Sequence, residues 1–226
     1  MTKSPSRSAV IDLADDRARA LALTPVSRET AARLDRFVEL LLRWQRTTNL
    51  IASSTVSRLW TRHIADSLQL IALAPEARVW VDVGSGGGFP GLVIACALAE
   101  CPGASVHLVE SNMKKAAFLR EAQRLTEAPA SVHAERIEDF AARFQDQVDV
   151  VTARAVAPLK SLLGQCFPLL GKSGATGLFL KGQHAELELG EAAKTWLMNA
   201  KLVPSRTDPS GRIIVIRDLE RGGVTP

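Results

Sequence analysis

Between residues 27 and 46, Leu34, Phe37, Val38, Leu41 and Leu42 recur at helical spacing, Ser27 stands ready to cap the start and Glu29 lies in the first turn. This pattern predicts an amphipathic helix. Arg33, Arg36, Arg43 and Arg46 fall on the opposite face, within roughly 140° of one another at 100° per residue, so that face is either solvated or a contact for RNA. From Arg78 the period changes. Short β-branched runs predict strands at 79–83, 105–110, 131–134, 148–152 and 176–181, and a further one at 212–217 follows the turn Asp208-Pro209-Ser210-Gly211. The first, second and fourth are nearly continuous apolar runs, as expected of strands covered on both faces. Helical stretches at 91–99 and 113–125 lie between them, so the units are βαβ and the sheet is mainly parallel. The expected fold is α/β, an open, doubly wound sheet over 76–226 preceded by a helical extension over 1–75.

Composition narrows the class without naming a function. The 226 residues are 46% hydrophobic and 23% charged, which argues against a disordered chain and a membrane-embedded one. The longest apolar stretch, 92–99, is far short of the ~20 residues that span a bilayer. Residues 1–22 mix Arg17 and Arg19 with Asp12, Asp15 and Asp16 and lack the apolar centre of a signal peptide, so a cytoplasmic location is expected. Cys96, Cys101 and Cys166 form no C-x-x-C pair and no even set, which favours buried free thiols over disulfides or zinc. With 28 Lys+Arg against 24 Asp+Glu, the net charge of +4 permits an anionic partner without requiring one.

The strongest local signal is Val81-Asp82-Val83-Gly84-Ser85-Gly86-Gly87-Gly88-Phe89-Pro90-Gly91, placed where the first strand turns into a helix. Glycines there let the backbone approach a ligand closely and adopt positive φ. A G-x-G-x-x-G match exists at Gly86, Gly88 and Gly91, but its register is wrong for a nicotinamide site: counted from Gly84, the third glycine position holds Phe89. Asp82 would also repel a pyrophosphate, whereas it would favour a cofactor with positive charge near the loop. S-adenosylmethionine carries an ammonium and a sulfonium, so Asp82-x-Gly84-x-Gly86-x-Gly88 reads as a methyltransferase loop. Glu110 ends the second strand 26 residues after Gly84, where a carboxylate can accept from both ribose hydroxyls or be an ordinary loop residue. The loop Arg136-Ile137-Glu138-Asp139, after the third strand, could border an adenine ring.

Several ordered segments together resemble the ribosomal RNA small-subunit methyltransferase G family, also called glucose-inhibited division protein B. They are Arg43-Trp44 with Asn49-Leu50, Arg62-His63 followed by Asp66-Ser67-Leu68, the loop from Asp82 to Gly91, Ala153-Arg154-Ala155-Val156-Ala157, and Leu180-Lys181-Gly182. The resemblance implies a class I, Rossmann-like methyltransferase fold with a seven-stranded sheet. It also implies transfer of a methyl group from S-adenosylmethionine to N7 of guanine 527, in the 530 loop of 16S rRNA. By position it implies cofactor contacts from Gly84, Phe89, Ile137, Glu138 and Arg154. Phe89 replaces a smaller aliphatic residue of some members, which changes ring packing. The first 25 or so residues match little, and nothing is carried over to them.

The candidate cofactor set is therefore Asp82, Gly84, Gly86, Phe89, Glu110, Ile137, Glu138 and Arg154, and the candidate catalytic set is Arg154, Lys181 and His63. Guanine N7 has an in-plane lone pair and no proton, so its methylation requires no general base, and catalysis is mostly positioning. Metal is not required, and His63, His107, His133 and His184 lack ligand-like spacing. Arg154 and Lys181 are placed to donate to guanine O6, or else to pair with phosphate or a carboxylate. His63 and Asp66, three residues apart, either touch and shape the substrate side or hold a helix in place; Asn49 is a similar case. Because A-form RNA hides N7 in its deep groove, the target must lie in a loop, a frayed end or a flipped base. Arg33, Arg36, Arg43 and Arg46, with Lys114, Lys115, Arg120 and Arg124, could follow the RNA backbone. The expected partner is 16S rRNA or the small ribosomal subunit, bound by a monomer with no membrane attachment. A methyltransferase of the same fold acting on a small molecule or protein, and a non-catalytic RNA-binding assembly module, are the alternatives.

Overall fold

The computed structural model describes residues 7–222. Two helices open the chain, α1 (Arg7–Leu23) and α2 (Arg28–Trp44). The second is the predicted amphipathic helix: Ser27 caps it by accepting the Thr30 N–H at 3.1 Å, and Leu34, Phe37, Val38 and Leu41 are buried. A 3-10 turn (Ser53–Arg58) then leads into a π turn (Trp60–Ala65) that continues as the short α3 (Asp66–Leu68).

Seven strands form one sheet: β1 (Val79–Val83), β2 (Ser105–Val109), β3 (Ala130–His133), β4 (Val150–Arg154), β5 (Thr176–Lys181), β6 (Trp196–Pro204) and β7 (Arg212–Arg221). Their order is β3-β2-β1-β4-β5-β7-β6, with the first five parallel and β7 antiparallel to both β5 and β6. Helices α4 (Gly91–Ala97), α5 (Met113–Thr126), α6 (Ile137–Arg143), α7 (Leu159–Ser173) and α8 (Ala185–Ala193) connect them. Strand β1 shows why both faces are covered. Trp80 packs with Leu34, Phe37 and Phe118 on one side, while Val81 and Val83 pack with Phe140, Leu163 and Phe179 on the other.

The direction of winding reverses between β1 and β4, so the loops leaving these two strands diverge at one crevice. The glycine loop leaves β1, and residues 155–158 leave β4.

Four expectations change. Strand β4 lies two residues later than the apolar run 148–152 suggested, so Arg154 ends the strand, paired with Leu180, rather than following it. Strand β7 extends to Arg221 because β6 continues the ladder to its end. Strand β6 itself was not predicted: it is the edge of the sheet, its burial alternates, and Asn199 and Lys201 interrupt its apolar residues. The segment 136–139 is not a loop, since Ile137, Glu138 and Asp139 form the first turn of α6. Cys96 and Cys166 are buried free thiols whose pKa values burial pushes up to about 12, and Cys101 is half-buried.

Candidate active site

The loop from Gly84 to Gly91 is shaped from below by Asp82. Its Oδ2 accepts the Gly91 N–H at 3.1 Å and its Oδ1 accepts the Thr152 hydroxyl at 2.8 Å, joining the loop's end to β1 and β4. Gly84, Gly86 and Gly88 take positive φ of 66°, 53° and 90°, which lets the loop turn sharply without a Cβ penalty. Asp82 is fully buried with a partner on each oxygen, so it shapes the loop from inside the protein. Full burial raises its pKa to about 6 against the opposing effect of its hydrogen bonds from Ser85, Thr152 and Gly91 and of the Arg154 charge. Glu110, just beyond β2, accepts the Gly86 N–H at 2.9 Å and the Asn112 N–H at 2.7 Å.

Above the loop is a cavity of about 330 Å³ lined by Ser85, Gly86, Gly87, Phe89, His63, Lys115 and Arg154, among others. Its roof is the stretch after α2. Gln45 accepts the Leu50 and Ile51 N–H groups at 3.0 and 3.1 Å and donates to the Ile51 carbonyl at 2.7 Å, folding that stretch over Gly87. Ile137 and Glu138 are not in this lining. Glu138 is exposed and accepts from Gln165 at 2.8 Å.

A second cavity, about 370 Å³, opens beside the first and shares Arg62, Arg154 and Ala155 with it. Lys181, Arg212, Asp66, Glu188 and Ser205 complete its polar lining. Arg154 thus stands on the boundary. Its guanidinium lies 5.0 Å from the Phe89 ring centroid, donates to the Arg62 carbonyl at 3.3 Å and donates to His63 Nδ1. Burial lowers its pKa to about 10, which leaves it charged at neutral pH. Arginine can only donate, so His63 Nδ1 is the acceptor, and the ring proton sits on Nε2, 2.8 Å from the Thr55 hydroxyl oxygen. Burial first, then the Arg154 and Arg62 charges, hold the His63 pKa down to about 3, so the ring is neutral.

Other predicted residues have partners that the sequence did not reveal. Lys181 donates to the Ala157 carbonyl at 2.6 Å and to Glu188 at 2.7 Å, and Glu188 also accepts the Leu159 N–H at 2.7 Å. Two of its three N–H groups thereby brace the turn after β4, leaving one for a ligand. Among the described residues no hydrogen bond joins His63 to Asp66, because the wider π turn takes them off a shared face. Asp66 instead accepts from Gln69 at 2.8 Å, Thr207 at 2.7 Å and Ser205 at 3.2 Å, tying α3 to the turn between β6 and β7. Thr55, Gln45, Thr152, Gln69, Ser205 and Thr207 are isolated polar residues with no motif, and only their partners in the fold mark them.

Arg36, Arg43, Arg46, Lys114, Arg120 and Arg124 are exposed, as is Asn49. Arg33 differs from its neighbours on α2: it is half-buried and bonds to Glu100 at 3.1 Å, so it is not a free cation. His107 and His133 meet across β2 and β3 at 3.1 Å, but among the described residues no group of three or more His, Cys, Asp or Glu is placed to hold a metal.

Two buried groups in the site oppose each other in pH dependence. Because the folded pKa of His63 is about 3 against an ordinary 6.5, the stability of its neutral form is fully present above pH 6.5 and is lost as pH falls towards 3. Asp82 has the opposite sign. With its pKa raised from 3.8 to about 6, its stabilising effect is present below 3.8 and lost as pH rises through 6. Urea titrations at pH 6.5 and 4.5 are expected to show a larger acid loss in the native protein than in His63→Gln. Parallel losses would mean that His63 titrates normally.

A family model described as rRNA small subunit methyltransferase G matches residues 30–210. The ribosomal RNA small subunit methyltransferase G of Bradyrhizobium sp. (strain ORS 278) is 58% identical over 221 residues, covering 98% of this chain and 99% of the relative. Its counterpart from strain BTAi1 is 61% identical over 209 residues, 92% of this chain and 94% of the relative. Among solved structures, an O-methyltransferase from Bacillus cereus in complex with SAH shares the fold at a TM-score of 0.59 and 12% identity, over 92% of this chain and 99% of that one. An MtNAS variant in complex with S-adenosylmethionine shares it at a TM-score of 0.54 and 13% identity, over 93% and 77% of the two chains.

Proposed function

This chain belongs to the ribosomal RNA small subunit methyltransferase G family, and from that premise we propose how its two cavities divide the work. The protein is an S-adenosylmethionine-dependent methyltransferase that modifies N7 of a guanine in 16S rRNA. In our reading the cavity over the glycine loop holds the cofactor and the cavity beside it receives the base. The observation that carries this reading is their meeting at Arg154, with the glycine loop on one side and Arg62, Lys181 and Arg212 on the other.

The residues present fit the cofactor. Gly86 and Gly87 leave bare backbone along the first cavity, Phe89 offers an aromatic wall, and Glu110, just beyond β2 and behind the lining, holds the Gly86 and Asn112 N–H groups and keeps lone pairs on both oxygens for a further donor. Gly84, Gly86, Phe89 and Glu110 would hold it, with Asp82 keeping the loop in shape and Arg154 at the boundary. Ile137 and Glu138, at the start of α6, would border the adenine end from outside the cavity lining. When bound, S-adenosylmethionine supplies an electrophilic methyl carbon attached to sulfonium.

The chain's own residues then have to orient the guanine. Its N7 lone pair needs no base, which suits a site whose histidine is neutral and has both ring nitrogens engaged. Arg154, still charged, and the free N–H of Lys181 would donate to O6. His63 and the Arg62 carbonyl fix the plane of the Arg154 guanidinium. Holding the base in line at about 3 Å contact accounts for several kcal/mol of barrier lowering.

We extend the proposal to the rest of the molecule. The expected helical extension of residues 1–75 packs, over its described part from residue 7, on the catalytic domain expected over 76–226, whose last four residues, like the first six of the chain, lie outside the described residues, and the protein works as a monomer in the cytoplasm. Among the described residues no helix is long and apolar enough to cross a membrane. The exposed cations of α2 and α5 would follow the RNA backbone. Arg43→Gln and Arg124→Gln are each expected to reduce the slope of log affinity against log salt by roughly 0.7 to 1 without changing the methylated position. An unchanged slope in both would remove this face from the RNA path.

The direct test is transfer of labelled methyl from S-adenosylmethionine to 16S rRNA of a strain lacking the modification. Label at N7 of guanine 527, in the 530 loop, is the expected result. Cofactor binding with no incorporation into naked RNA or 30S particles would overturn the substrate assignment.

A further inference from the structure

The π turn Trp60–Ala65 carries Arg62 and His63, yet it follows Leu59, a fully buried apolar residue that cannot cap its first N–H groups. The acceptors come from another helix. Asp16, within α1 and 5% exposed, accepts the Trp60 N–H at 2.7 Å and the Thr61 N–H at 3.2 Å on Oδ2, and the Thr61 hydroxyl on Oδ1. A carboxylate in this place also complements the partial positive charge of the exposed N–H groups. The neighbouring Arg17 secures α1 through two bonds to Asp35 of α2, at 2.7 and 2.8 Å, and lies 5.2 Å from the centroid of Trp60.

The two residues after the anchored pair are the ones that orient Arg154. Its guanidinium donates to the Arg62 carbonyl and to His63 Nδ1. A shift of the π turn against α1 would therefore displace both acceptors together. We propose that Asp16 is a positioning residue for methyl transfer, acting through Trp60 and Thr61 on the Arg62–His63 cradle of Arg154. This rests on the reading of Arg154 given above. It also makes α1, which lies before the matched stretch 30–210, part of the catalytic scaffold.

The test is steady-state methyl transfer to 16S rRNA by the full chain, with cofactor affinity measured separately. Asp16→Leu removes the acceptors at nearly constant volume and is expected to lower kcat by about tenfold or more, with cofactor Kd within about threefold of native. Asp16→Asn keeps an acceptor oxygen and should recover kcat to within about threefold. Asp35→Asn loosens the hold on α1 without touching the π turn and should keep native kcat. If Asp16→Leu does not fold, Thr61→Ala decides instead, with an expected fall in kcat of about threefold. An Asp16→Leu kcat within twofold of native overturns the proposal, as does an equal loss in Asp35→Asn. Arg154→Ala separates the two levels: inactivity there beside a native-like Asp16→Leu defeats this proposal alone, whereas native turnover in Arg154→Ala defeats the underlying reading as well.

Discussion

Arg154→Ala is expected to lower kcat for methyl transfer by about 100- to 1,000-fold, the usual loss on removing a preorganised charged donor from an active site, while the protein stays folded. Arg154, like Arg62, lies on both cavities, and it also contacts the Phe89 ring, the Arg62 carbonyl and His63. Its removal takes away the donor we propose for the base and the stiffness of the boundary at once. Asp66 loses the Arg154 charge 4.0 Å from its Oδ2 but keeps Arg62 at 3.5 Å on that oxygen and its bonds from Gln69, Ser205 and Thr207 on Oδ1, so no buried carboxylate is left without a partner. Cofactor affinity should change much less than kcat, because the glycine loop is untouched. Arg154→Lys should recover little, since one ammonium cannot reproduce a planar fork reaching two acceptors. Native turnover in Arg154→Ala would place the reacting base elsewhere.

The second large effect falls on the loop itself. A Cβ on Gly91 would lie 2.5 Å from Asp82 Cβ, 2.5 Å from Leu108 Cδ2 and 2.6 Å from Asp82 Oδ2. None of these neighbours is the free end of a flexible surface chain, for Asp82 is engaged on both oxygens and Leu108 is fully buried. Gly91→Ala must push β1 and α4 apart and break the Gly91–Asp82 hydrogen bond. Overpacking costs about 1–3 kcal/mol, and a buried carboxylate that loses a donor adds about 1–3 kcal/mol more. A loss of about 2–6 kcal/mol in urea unfolding is expected, with cofactor affinity reduced about tenfold or more as the loop opens. A variant with native stability and native cofactor affinity would show that the Asp82–Gly91 contact is not what holds the loop.

The features legible in the chain were those whose causes are local. Ser27 and the apolar spacing of α2 lie within a few turns of one another, and so do the glycines and the strand that precedes them. Strand β6 was invisible because its polar outward residues conceal a period that only its pairing with β7 makes meaningful. The two-residue displacement of β4 has a related cause: its register is set by β1 and β5, not by where its own apolar run begins. His63 and Asp66 were expected to touch because residues three apart on an α-helical turn face one way, but a π turn formed there instead.

By itself, then, the sequence determined the α/β class, the glycine loop at the end of β1, the family, and through it the cofactor and the reaction. These follow from short-range periodicity and from contiguous motifs, which survive in one dimension. Tertiary structure alone decided what each charged group is for. Asp82 holds Gly91 and Thr152, Lys181 braces the turn after β4, Arg33 is paired with Glu100, and Asp16 anchors a turn far along the chain. A charge has no fixed role until folding selects its partners and its solvent, and all of those partners but Gly91 lie tens of residues away along the chain.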